Sequence, residues 1–443
     1  MTVEERSGDL HAWRALALAA LRKAGRAGPD STEADAERLL TTTTDDGIEI
    51  APLHVCGPPA PELAARDGRD WDVRQQHDGS DPEELRDAVA DDLAGGAGSI
   101  WLTGTEPAAL PEILATFPYD RAALVLDAGR HTEEAAAALF AAEVPAPRGN
   151  LGADPLGISA RTGSTPDLTA PALLAVRCAA GHPGRLRAMT VDATAYHEAG
   201  GGDAEELACA LATAVAYLRA LTGAGLSVGA AFDQIEFRYA VGPDQFLSLA
   251  KLRAARLLWA RVAETCGVPS ARQRQHAVTS WAAMTVRAPL NNVARATSAA
   301  FAAVAGGADA VTVLPYDAAL GRPSPEARRL ARNTHAILRV EAHAARVHDP
   351  AAGSWYAERL TRDLAVSAWE WFQKIEVNGG MAASLADGMI GERLAATARR
   401  RRADLRHQRR TVVGVTELAG AGLPRRRYAE ELGDLPGQVG AAR

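Results

Sequence analysis

The apolar positions of the chain divide it into stretches of different period. Between residues 71 and 345, short apolar and β-branched runs alternate with longer Ala- and Leu-rich segments. The short runs are SIWLTG, AALVLDAG, LRAMTVDAT, DQIEFRYAV and ADAVTVLPY. Continuous apolar strands separated by helices indicate a parallel sheet covered on its faces. Several such units in one domain of this size favour a closed (β/α)8 TIM-type barrel over an open doubly wound sheet. Helical spacing is clearest over residues 203–223 and 243–266. Pro243 and Asp244 suit the first turn of the second helix, and Leu247, Ala250, Leu257 and Leu258 recur where a core face needs them.

The ends are patterned differently. HAWRALALAALRKAG reads as an amphipathic helix, followed by GIEIAPLHVCGPPAPEL, whose prolines forbid regular helix. After residue 346 a turn leads into a long helix that stops at Gly379 and Gly380. Residues 395–410 form a basic helix, and the Gly-, Pro- and Arg-rich tail beyond 420 reads as loosely ordered. Three units result: an N-terminal helix and extended arm (1–70), the barrel with its C-terminal helices (71–395), and a basic helix with tail (396–443).

Composition narrows the function. A formal charge of −7 argues against a general nucleic-acid binder, and the arginine run from Arg399 to Arg410 reads as a solvated helix face or linker. Cys56, Cys178, Cys209 and Cys266 lie far apart without CxxC spacing, which suggests buried thiols in a reducing compartment. The start, MTVEERSGDL, is acidic and polar, unlike a signal peptide, and no uninterrupted apolar run reaches the roughly 18 residues of a membrane helix. A cytoplasmic protein is expected, with no nucleic-acid or membrane partner.

Barrel enzymes work at the C-terminal ends of their strands, so polar groups there carry the candidate chemistry. Tyr196 and His197, within Thr194–Glu198, follow the strand LRAMTVDAT. They suit either substrate-carbonyl binding and proton donation or plain closure of the barrel mouth. His276, with Thr279, Ser280 and Trp281 behind it and Asn291 and Asn292 opening the next helix, suits a neutral hydrogen-bond donor or a structural histidine. Arg328, Arg329 and Arg332 follow the strand that ends in Pro315 and Tyr316, and suit a phosphate, another subunit or nothing but solvent. No phosphate-binding glycine motif follows a strand, and no serine nucleophile elbow or Cys/His pairing is present. His343, His348 and Asp349 lack a second ligand pair for a metal.

Several long blocks, in order, resemble the methylmalonyl-CoA mutase family over nearly the whole chain. They are FRYAVGPDQFLSLAKLRAARLLWARV (237–262), QHAVTS with NNVARAT (275–297), GGADAVTVLPYDAALG (306–321), RLARNTHAILRVEAHAARVHDPAAGSWYAERLT (329–361) and AWEWFQKIEVNGGM (368–381). DDGIEIAPL (45–53) resembles the family's N-terminal arm, which wraps a partner subunit. The resemblance implies a barrel whose catalytic members thread coenzyme A along the axis and receive adenosylcobalamin from a separate domain.

Within that family the chain resembles the small (beta) subunit. TAYHEAGG (194–201) lacks the two-residue, glutamine-containing insertion of catalytic chains, WDVRQQHDG (71–79) keeps only a remnant of their aromatic and arginine segment, and TVLPYD (312–317) replaces a Gln/His pattern, leaving Asp309 and Thr312. No Asp-x-His-x-x-Gly cobalt-ligand motif occurs, so no cobalamin-binding domain is expected. His276 matches the catalytic histidine, degenerate or vestigial here, and Asn291 and Asn292 match substrate-side positions. The implied function is a non-catalytic subunit of an adenosylcobalamin-dependent mutase interconverting methylmalonyl-CoA and succinyl-CoA. The cofactor would be bound through a larger partner, in a heterodimer. The alternative is the substrate-binding chain of a split, isobutyryl-CoA-type mutase with its cobalamin domain supplied in trans.

Overall fold

The computed structural model describes residues 3–61, 63, 70–78, 81–142 and 147–417. The expected loose tail beyond 420 and the end of the arm at 62 and 64–69 lie outside the described residues.

Eight parallel strands close into a barrel: β1 (Asp72–Asp78), β2 (Ser99–Thr103), β3 (Ala123–Asp127), β4 (Gly149–Ala153), β5 (Leu186–Asp192), β6 (Ile235–Val241), β7 (Gln275–Thr279) and β8 (Ala310–Thr312). Closure comes from β8, which pairs with β7 (Ala310 beside His276) and with β1 (Val311 beside Val73). Helices fill the crossovers, as parallel strands require. Many begin at a cap that the sequence supplies just after a loop. Asp81, Asp154 and Ser324 each accept a backbone N–H and are followed directly by proline. Asp244 likewise caps the helix Gln245–Thr265 from outside, accepting the Leu247 amide, rather than sitting in its first turn.

Five strands are the apolar runs that the sequence pattern predicts, whereas β1, β4 and β7 are not. In β4, glycine replaces side chains for lack of room. At Gly152, φ is +73°, and a Cβ would stand 1.8 Å from the Leu126 carbonyl oxygen. The register against β5 also slips between Asn150 and Ala153. In β1 the sequence DVRQQHD is polar because half of it faces an ionic interior.

Outside the barrel, the helix Val3–Lys23 packs on Glu33–Leu40 through Leu18, Leu21 and Ala36. A hairpin pairing Thr42–Thr43 with Glu49–Ile50 follows. Its turn lies on this chain's own helix Met389–Arg406. Asp45 bonds Arg401 at 2.6 Å and Arg410 at 3.0 Å, and its carbonyl accepts from Arg400. The arginine run is therefore more than a solvated face: part of it clamps the N-terminal segment. The helix Asp203–Gly223 is long and apolar enough to cross a membrane by length and composition, yet it is two-thirds buried as a core helix of the barrel wall.

Candidate functional site: the barrel axis and its mouth

Residues of alternate strand positions point inward, and here many are charged. At one level Arg74 bonds Glu236 at 2.5 Å, Ser99 at 3.0 Å and Asp72 at 3.4 Å. At the next, Arg238, 1% exposed, bonds Asp127 at 2.8 Å and Asp192 at 3.0 Å. Its guanidinium carbon lies 3.9 Å from the Trp101 ring centroid, a cation–π contact, and Trp101 Nε1 donates to Asp127. Arg161 completes the level by bonding Asp192 at 2.8 Å. Burial would raise the Asp192 carboxyl, but Arg161 and Arg238 hold it well below the usual carboxylate range.

His276 belongs to this fixed stack. It is fully buried, edge-on to Trp101. Arg238 Nε donates to its Nδ1 at 3.3 Å, which assigns the ring proton to Nε2. Nε2–H then donates to Thr312 Oγ1 at 2.8 Å, whose hydroxyl donates to the Arg74 carbonyl at 2.9 Å. Burial, then Arg74 and Arg238, push the imidazole well below its usual pKa, so it stays neutral. Both ring nitrogens are committed to the protein.

The other candidates scatter. Tyr196 is buried against the Asp203–Gly223 helix, near Cys209 and Thr213, where burial raises its phenol. Asn292 clips a loop: its amide donates to the carbonyls of Thr285 and Tyr316, and its oxygen accepts from the Thr285 amide and from Arg295. Asn291 stands beside it, against Gly414. Arg332 pairs with Asp92, Arg328 bonds the Pro323 carbonyl, and Asp309 pairs with Arg272. Asp349 is held by Arg253. Other sequence candidates gather at the barrel mouth: Thr194, Glu198, Thr279, Ser280 and Trp281 line it, and His197 Nε2 lies 2.7 Å from Ser280 Oγ.

There, above the Arg238 level, a cavity of about 370 Å³ is lined by Gln76, Thr103, Asp127, Arg161, Glu198 and Ser280, among others. Burial, then Asp192, push the Glu198 carboxyl up to about 7. Beside the cavity His197, Asp203 and Glu206 cluster as metal ligands would, their ligand atoms all within 4.8 Å of one another. The Lys251 ammonium, fully buried, already sits 2.7 Å from both carboxylates and so takes the cation's place.

Arg238, Arg74 and Trp101 were missed as site residues. The signal for the two arginines is period-2 polarity inside strands that should be apolar throughout: Glu236 and Arg238 alternate with Ile235, Phe237 and Tyr239, as Asp72, Arg74 and Gln76 do in β1, whereas Trp101 sits in the apolar run SIWLT and has none.

Comparison with known proteins gives these likenesses. The family model for methylmalonyl-CoA mutase matches residues 171–424. The methylmalonyl-CoA mutase small subunit of Streptomyces virginiae is 47% identical over 432 residues, which cover 92% of this chain and 70% of that protein. The small subunit of Propionibacterium freudenreichii subsp. shermanii is 37% identical, covering 87% and 65%. The large subunit of Streptomyces virginiae is 37% identical over 236 residues, covering 52% and 32%.

Proposed function

The chain belongs to the methylmalonyl-CoA mutase family, and we propose that it is a small, non-catalytic subunit whose barrel supports a larger catalytic mutase chain. The complex then interconverts methylmalonyl-CoA and succinyl-CoA. The observation that carries this reading is the filled axis. A coenzyme A thioester threaded through a barrel needs a continuous channel, and here Arg238 and Trp101 stack across it with Asp127 and Asp192 as anchors. His276, the match to the family's catalytic histidine, lies sealed in the same stack. The likeness to small subunits covers 92% and 87% of this chain (70% and 65% of theirs), against 52% for a large subunit, which supports the same side.

Family members generally depend on cobalamin, and adenosylcobalamin supplies radical chemistry to such an enzyme. The described residues do not fit that group. The mouth cavity, about 370 Å³, is far smaller than a corrinoid, and the histidines near it are engaged, His197 by Ser280 and His276 by Arg238 and Thr312. We therefore assign the cofactor to the partner, in a heterodimer burying an obligate-type interface, roughly 2,000 Å² or more. Exposed Phe246, Leu290, Val340 and Val377 supply apolar surface for it. The four cysteines are free thiols, Cys178 and Cys209 buried as expected but Cys56 and Cys266 exposed, and their unpaired state supports a cytoplasmic location.

The test is turnover and co-purification. The purified chain with adenosylcobalamin and methylmalonyl-CoA is expected to form no succinyl-CoA, whereas the chain with a large mutase subunit co-elutes and the pair turns over. Turnover by this chain with a stand-alone cobalamin-binding protein, abolished by His276→Ala, would establish the split-enzyme reading instead.

A further inference from the structure

Three elements separated in sequence meet at the mouth cavity. Ser280, directly after β7, lines it. His197, from the short helix Thr194–Glu198, places Nε2 at 2.7 Å from Ser280 Oγ. Glu206, from the helix Asp203–Gly223, places Oε2 at 3.6 Å from His197 Nδ1, which has no hydrogen-bond partner among the described residues.

The proton positions follow from these neighbours. An Nδ1 lone pair would face the Glu206 carboxylate, whereas an Nδ1 proton is attracted to it. Nε2 is then the acceptor, and Ser280 O–H donates to it. Glu206 is held in place from two sides, by the Ala240 amide at 2.8 Å and by Lys251 at 2.7 Å. A hydroxyl facing a cavity, a base within hydrogen-bond reach, and a fixed carboxylate behind the base form the arrangement that activates a serine. Arg161, paired with Asp192, places positive charge in the wall of the same cavity.

We propose that Ser280, activated by His197, is an acyl-accepting nucleophile that gives the mouth cavity a hydrolytic activity toward small activated esters. This reactivity stands apart from the mutase reading and needs neither cobalamin nor a partner chain. Ser280 Oγ attacks the ester carbonyl carbon while its proton passes to His197 Nε2. The carbon–alkoxide bond breaks, and the leaving alcohol takes that proton. Water then attacks the acyl-serine, giving its proton to His197, and the acid departs as Ser280 regains its hydrogen. A cavity of about 370 Å³ holds an acetyl or similarly short acyl group with its leaving group, but not a long chain.

The probes are p-nitrophenyl acetate for turnover and a fluorophosphonate for covalent capture, on the full chain with the adducted residue mapped by mass. Wild type is expected to acquire one phosphonate on Ser280 and to hydrolyse the ester. Ser280→Ala should lose both, and His197→Gln should lower the rate about 100-fold. Ser164→Ala, at an exposed serine, should match wild type. If Ser280→Ala misfolds, Ser280→Cys keeps the volume and should be alkylated by iodoacetamide faster in the His197 background than with His197→Gln. Labelling elsewhere, equal hydrolysis by Ser280→Ala, or no adduct on folded wild type overturns the proposal.

Discussion

The axis of the barrel and its mouth are built from the same strands, yet they treat charge in opposite ways. Along the axis, Arg74, Arg238, Glu236 and Asp192 are nearly inaccessible, and each charge meets its counter-charge within hydrogen-bond distance. At the mouth, one or two residues further along, burial and the neighbouring Asp192 act against the Glu198 carboxylate more than Arg161 relieves it, and His197 Nδ1 is left facing Glu206. A buried ion pair stabilises little against an apolar filling of the same volume, but it is costly to break. The axis therefore acts as a sealed plug whose parts depend on one another, and the mouth keeps polar groups with bonding capacity unused. A barrel can lose a channel without losing a site.

Arg238 is the sharpest place to break that contrast. Arg238→Met keeps much of the volume but leaves Asp127 and Asp192 without their shared cation and His276 without its donor. The expected loss is about 3–5 kcal/mol in denaturant unfolding. Adding Asp192→Asn should recover part of it, because one stranded charge is gone. A single-variant loss under about 1 kcal/mol would mean that the plug is not what closes the axis.

The next effect tests why the wall was only partly legible in sequence. The helix over 203–223 and the strands LRAMTVDAT and DQIEFRYAV are readable because their apolar period survives. GNLGA is not, since β4 is specified by close backbone approach, a requirement that leaves glycine and no apolar signature. Gly152→Ala at φ +73°, with its methyl driven into the Leu126 carbonyl, should cost about 3 kcal/mol by thermal or denaturant unfolding. A neutral result would show that β3 and β4 can separate freely. The site was illegible for a related reason. In AKLRAARLL nothing announces that Lys251 and Arg253 are fully buried, because their partners Glu206 and Glu358 lie 45 and 105 residues away. Ser280 and His197, 83 residues apart, form no local motif either.

The smallest effect belongs to the mouth and carries a pH signature. Burial, then Asp192, raise the Glu198 carboxyl from 4.5 to about 7. Between those values the folded protein keeps a proton that the unfolded chain has released, so stability falls as pH rises through that window. Below pH 4.5 both states are protonated and the penalty vanishes; above about 7 it is complete. Glu198→Gln removes the titration. The variant should match wild type near pH 4.5 and exceed it by roughly 1–2 kcal/mol at pH 8, a range discounted for the side chain's partial exposure. Denaturant midpoints at pH 4.5, 6 and 8 measure the difference. A gain that does not change with pH would mean that this carboxyl is as well compensated as those of the axis, and the contrast between sealed plug and unspent mouth would not hold.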